Sequence, residues 1–172
     1  MIDFGPRSTA PDVPDVPGAA GRMTAGGSAG AGSGSGVGSS AGAAAAAAQG
    51  VLDKLTRLAG AFRAMPQSKL LGRLPDGRSR AEAGHALADA LAKAAQGIDE
   101  RSSDQPPLWR AVPFVGPFAV GDQLMVLGNE FCGALAGLEQ LAEPVWSAPD
   151  ARAGADQVLA HMDEQIRILM LG

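Results

Sequence analysis

The chain reads as an all-α protein: a small bundle or array of about four helices behind a disordered Gly/Ala/Ser-rich N-terminal tail. Three observations predict this. Apolar residues recur at spacings of three and four in four separate segments, the period of one helix face. Prolines fall between those segments and never inside them. Gly21 to Gly42 is almost entirely Gly, Ser and Ala, which leaves nothing to bury. The helices are expected at about 51–65, 79–98, 122–142 and 150–170, within a single helical domain over 51–172.

Residues 1–50 are expected to be a low-complexity tail. Pro11, Pro14 and Pro17 repeat every third residue, a period suited to polyproline II and a solvated spacer. The alanine run Ala43 to Ala48 favours helix and can extend the first helix backwards. That helix carries Leu52, Leu55, Leu58, Phe62 and Met65 on one stripe and stops at Pro66. Gln67 to Arg78 is a connector. The second helix opens on Ser79-Arg-Ala-Glu82, which fits a capping box. Its core stripe is Leu87, Leu91, Ala94 and Ile98.

The stretch Pro106 to Pro144 organises the rest. Its first part holds too many prolines and glycines for a helix or a central strand. Asp122 then reads as the cap of a helix ending near Ala142. Leu124, Leu127, Phe131, Leu135 and Leu138 form its core face. A hairpin through Phe118 to Gly128 ranks below the helix, and no other strand is expected. The opposite face carries Val126, Asn129, Gly133, Ala136, Gly137 and Gln140. Gly133 and Gly137 share a side, and a mid-helix glycine costs about 0.5–1 kcal/mol against alanine. Close approach of a second helix offsets that cost; high-GC codon drift is the alternative. Trp109 and Trp146 bracket this helix and are expected near opposite ends of the bundle, pinning the entering and leaving chain. The last helix follows Ser147 or Asp150, with Pro149 in its first turn. Ala155, Val158, Leu159, Met162, Ile166 and Leu169 face its core. Its tip, Ile168 to Leu171, is either covered by a neighbour or an exposed apolar end, and a peripheral membrane helix is disfavoured by its acidic side.

Composition narrows function. The net charge of −4 argues against a generic nucleic-acid binder. The one cysteine, Cys132, forms no internal disulfide and reads as a small buried apolar residue. No secretory signal and no transmembrane segment are expected, so the expected location is cytoplasmic. Charge is uneven: Val51 to Arg110 holds ten basic and seven acidic residues, Ala111 to Gly172 two and eight. The basic excess concentrates in Arg63, Lys69, Arg73, Arg78 and Arg80. Such a patch contacts phosphate or RNA, or lies against the acidic C-terminal helix.

Glu82-Ala-Gly-His85 has the Glu-x-x-His spacing of di-iron bundles, and His161-Met-Asp-Glu164 reverses it. Glu82, His85 and Asp89 project from the expected solvent face, so no metal and no cofactor are expected. Arg80-Ala-Glu-Ala-Gly-His85 resembles the Arg-x4–6-His motif of the HEPN family of small helical ribonucleases. The resemblance implies phosphate contact by Arg80 and assistance to RNA cleavage by His85. The expected function is a non-enzymatic helical protein–protein interaction or adaptor module that self-associates, with Gly133, Gly137, Trp109 and Trp146 as interaction residues. The HEPN-like RNA-acting protein is the alternative. The expected partner is a protein or a second copy of the chain, rather than nucleic acid.

Overall fold

A computed structural model of the chain describes residues 38–171. Its order is α1 (Gly38–Ala64), a one-turn α2 (Gln67–Leu70), α3 (Arg80–Asp99), α4 (Val120–Ala136), strands β1 (Pro144–Ala148) and β2 (Ala151–Gly154), and α5 (Ala155–Leu171). The protein is mostly helical, as its apolar periodicity predicts. Most of the expected tail, residues 1–37, lies outside the described residues. The helical boundary is earlier than Val51, because the alanine run continues α1 backwards and Ala44 and Ala48 are buried with the core.

The core is built by α1, α3 and α4. Leu55, Leu58 and Phe62 of α1 meet the buried stripes of α3 (Leu87, Leu91, Ile98) and α4 (Leu124, Phe131, Leu135) in one cluster. Helix α3 starts on the expected capping box: the Ser79 hydroxyl accepts from the Glu82 N–H at 3.1 Å, and the Glu82 carboxylate accepts from the Ser79 N–H at 2.6 Å. Helix α4 lies antiparallel to α1, since Gly121 sits against Ala59 and Gly128 against Leu55. It runs parallel to α3, since Val120 meets Gly84 near the start of both helices.

That parallel arrangement requires the chain to travel back along α3 before α4 begins. The connector 100–116 does so as an extended strap held on polar side chains of α3. The Arg110 N–H donates to Gln96 Oε1 at 3.2 Å and the Val112 N–H to Asp89 Oδ1 at 3.0 Å. Phe114 then packs edge-on to His85, with ring centroids 5.2 Å apart. Gln123 of α4 donates to the Pro113 carbonyl at 2.8 Å. Prolines 106, 107 and 113 keep the strap extended. At Gly116, φ of 124° takes the chain out of the strap through a region open to glycine, into the 3-10 turn Pro117–Ala119.

Four expectations are corrected. His85 and Asp89 are not on a solvent face, because the strap covers them. Asp122 does not cap α4: the N-cap is Ala119, without a side-chain bond, and Asp122 instead accepts from Arg63 Nε at 2.7 Å. Helix α4 stops at Ala136, not Ala142; Gly137 is its C-cap and Leu138 turns in to be buried. A turn follows, closed by the Gln140 N–H donating to Glu143 at 2.9 Å. That N–H, helped by the Arg101 guanidinium, holds the Glu143 carboxyl below its ordinary value. Finally, the segment assigned to the start of the last helix is an antiparallel hairpin, with Val145 opposite Ala153 and Trp146 opposite Arg152. β-Branched Val145 and aromatic Trp146 suit a strand, and Pro149-Asp150 makes the turn rather than a first helical turn. Helix α5 therefore starts at Ala155 and packs on α3 and α1. Its buried residues are Ala155, Met162, Ile166 and Leu169, with Val158 and Leu159 half-buried.

Candidate functional site

Close helix packing is real in this fold, but other glycines make it. A Cβ on Gly128 would lie 2.7 Å from Leu55 Cδ1, and one on Gly121 2.9 Å from the Ala59 carbonyl. A Cβ on Gly97 would land on the Trp146 carbonyl. At Gly133 it would meet nothing within 4 Å, and at Gly137 only carbonyls of its own helix turn. The outward face of α4 is thus uncovered among the described residues: Asn129, Gly133 and Ala136 are exposed, and Val126 is 57% exposed.

The two tryptophans come together instead of lying at opposite ends. The Trp109 ring and the Trp146 backbone both border Gly97, near the C-terminal end of α3. The reason is the strap, which places Trp109 beside α3 eleven residues before α4 begins. Trp146 Nε1 donates to the Ser103 carbonyl at 3.3 Å, and the Arg152 guanidinium lies 4.2 Å over its ring. Trp109 Nε1 is buried without an acceptor among the described residues.

The basic patch divides. Arg63 holds Asp122, and Arg78 holds Asp76 at 2.7 Å. Lys69, Arg73 and Arg80 converge with Arg57 around an open groove of about 670 Å³. The floor of the groove is apolar, with Leu58, Phe62, Met65 and Leu169. No acidic side chain among the described residues lines it. The Arg73 guanidinium donates to the Gly77 carbonyl at 2.6 Å, Arg57 to the Asp53 carbonyl at 3.3 Å, and Arg80 to the Leu169 carbonyl at 3.5 Å. Backbone oxygens therefore place three of these cations, and none of the four has a carboxylate partner among the described residues. Arg57 escaped the sequence reading because it lies twelve residues from Lys69, and only the fold brings the two together.

No known protein family, curated protein or solved structure matches this chain.

The remaining candidates for chemistry are scattered. Arg80 lines the groove, whereas His85 lies under Phe114 with Nδ1 3.4 Å from Gln123 Oε1, so the two do not face a common cavity. Burial pushes the Cys132 thiol up to about 11, which keeps it protonated at neutral pH. Among the described residues no three His, Cys, Asp or Glu side chains gather as a metal would require, and no helix is long and apolar enough to cross a membrane. At the tip of α5, Leu169 is buried while Met170 and Leu171 stand at 45% and 74% exposure beside the groove.

Proposed function

We propose that this chain is a non-enzymatic helical module that works by binding other protein chains, beginning with a second copy of itself. The observation that supports this most is the outward face of α4. Its inward face is fully used by α1 and α3, yet the outward one keeps Val126 largely exposed and open space at Gly133. The helix therefore carries the cost of a mid-helix glycine, about 0.5–1 kcal/mol, with no contact among the described residues to offset it. A second helix laid there makes that contact, and a symmetric pair is the commonest way for a chain to supply one. A single reduced, buried cysteine suits a cytoplasmic setting.

Light scattering on the full chain tests the reading. The wild type is expected to have the mass of a dimer. Gly133→Leu is expected to give a monomer that melts no lower than the wild type, because a Cβ at that position meets nothing within 4 Å among the described residues. A wild type that stays monomeric at every concentration, or a Gly133→Leu chain that remains dimeric, overturns it.

A further inference from the structure

The groove between α1, α3 and the tip of α5 lies apart from the outward face of α4 and has a different chemistry. Twelve lysines and arginines lie between residues 38 and 171. Six of them hold a carboxylate. Four of the other six, Arg57, Lys69, Arg73 and Arg80, face this one groove. The chain as a whole carries a net charge of −4, so this is a local reversal of sign. Gathering four like charges costs free energy in the unbound protein, and an anionic ligand recovers it.

The groove floor limits what that ligand can be. Phe62 and Leu58 are buried beneath it, and Met170 and Leu171 stand exposed at its edge. An occupant therefore needs an apolar side as well as negative charge. Nucleic acid fits poorly, because Phe62 is only 3% exposed and offers no face for a base to stack on. The α1 wall from Arg57 to Ala64 is about 10 Å long, roughly two turns of a helix. An amphipathic helix laid in a groove uses these features: apolar residues at helical spacing against the exposed Met170 and Leu171 at its edge, and flanking acids against the cationic rim.

We propose that this groove binds an acidic amphipathic helix of a partner protein. The inference rests on the interaction-module reading but concerns a separate surface, so the two can fail separately.

The test measures binding of three fluorescein-labelled model helices of about eighteen residues, long enough to hold helix in solution. One carries leucine at helical spacing among glutamates, the second replaces glutamate with lysine, and the third replaces leucine with serine. The full chain is expected to bind the first at least about tenfold more tightly than either of the others. Arg57→Glu combined with Lys69→Glu is expected to lower that affinity about tenfold or more, the sum of two surface charge contacts. Both side chains are exposed, so the melting curve should not move. The dimer mass should also be unchanged, whereas Gly133→Leu should leave peptide binding intact. Equal affinity for the glutamate and lysine helices overturns the proposal, as does indifference to the double variant. Sedimentation with phosphatidylserine vesicles, lost in the double variant while the glutamate helix fails to bind, overturns it in favour of a lipid surface.

Discussion

At the scale of single residues, the decisive quantity is what lies beyond a glycine's missing Cβ. Gly97 and Gly133 look alike in the sequence, each a glycine within a helix rich in small residues. A methyl group at Gly97 would strike the Trp146 carbonyl, which the hairpin holds rigidly. The helix would gain about 0.5–1 kcal/mol from alanine there, but overpacking costs about 1–3 kcal/mol. Gly97→Ala is therefore expected to lower the melting temperature. Gly133→Ala keeps only the favourable term and is expected to raise the stability of the monomer by about 0.5–1 kcal/mol. Urea denaturation of both variants, at a concentration where the chain is monomeric, separates them. Equal shifts would mean that the hairpin does not press on α3. The same comparison explains why Gly121 and Gly128, rather than Gly133 and Gly137, carry the internal helix contacts.

Among the elements, the strap is the one on which the fold turns, and Asp89 is its central fastening. Burial alone would raise the Asp89 carboxyl, but the hydrogen bonds from Lys93 and the Val112 N–H outweigh it and hold the group below its ordinary value of 3.8. A carboxyl depressed in the folded state stabilises the protein above its unfolded value and loses that contribution as pH falls through the folded one. The fastening is complete above about pH 4 and is lost in more acid solution. At neutral pH, Asp89→Asn is expected to cost about 1–2 kcal/mol, since it removes a charged hydrogen bond and leaves a neutral acceptor for Val112. The melting-temperature gap between wild type and variant should shrink between pH 5 and about pH 3. A gap that stays constant over that range would show that the ionised carboxylate is not what fastens the strap.

For the molecule as a whole, α5 is the least committed helix. Helices α1, α3 and α4 share a dense common core, whereas α5 buries only Ala155, Met162, Ile166 and Leu169 of its seventeen residues. Open hollows flank it on both sides: one against α3 near His161 and Ala90, the other against α1 near Val51 and Lys54. Lys54–Asp163 is its one ion pair to α1 among the described residues, and both partners are about 40% exposed, at 43% and 39%, so the pair adds little. Native-state hydrogen exchange is expected to show the amides of Met162 to Leu169 opening at lower free energy than those of Leu87 to Ile98, with exchange faster by about tenfold or more. Protection equal to that of α3 would show that α5 belongs to the same cooperative unit.

The sequence alone determined what depends on neighbours along the chain. The core stripe of α3 and its capping box are where the spacing of Leu87, Leu91 and Ile98 and the pair Ser79 and Glu82 put them, because helix periodicity and cap bonds are local. The hairpin had a local signal as well, in Val145-Trp146 and Pro149-Asp150, but Pro149 suits a first helical turn equally well and the helical reading absorbed it. The tertiary structure alone decided the direction of α4. A connector of this length can return along a helix or leave it, and hydrogen bonds to Gln96 and Asp89, far away in sequence, make it return. From that one path follow the meeting of Trp109 and Trp146, the half-burial of His85 under Phe114 and the parallel packing of α3 with α4. The grouping of Arg57 with Lys69, Arg73 and Arg80 is decided in the same way. Electrostatic neighbours are set by distance through space, and here that distance exists only once the turn through α2 has brought the start of α3 beside the end of α1.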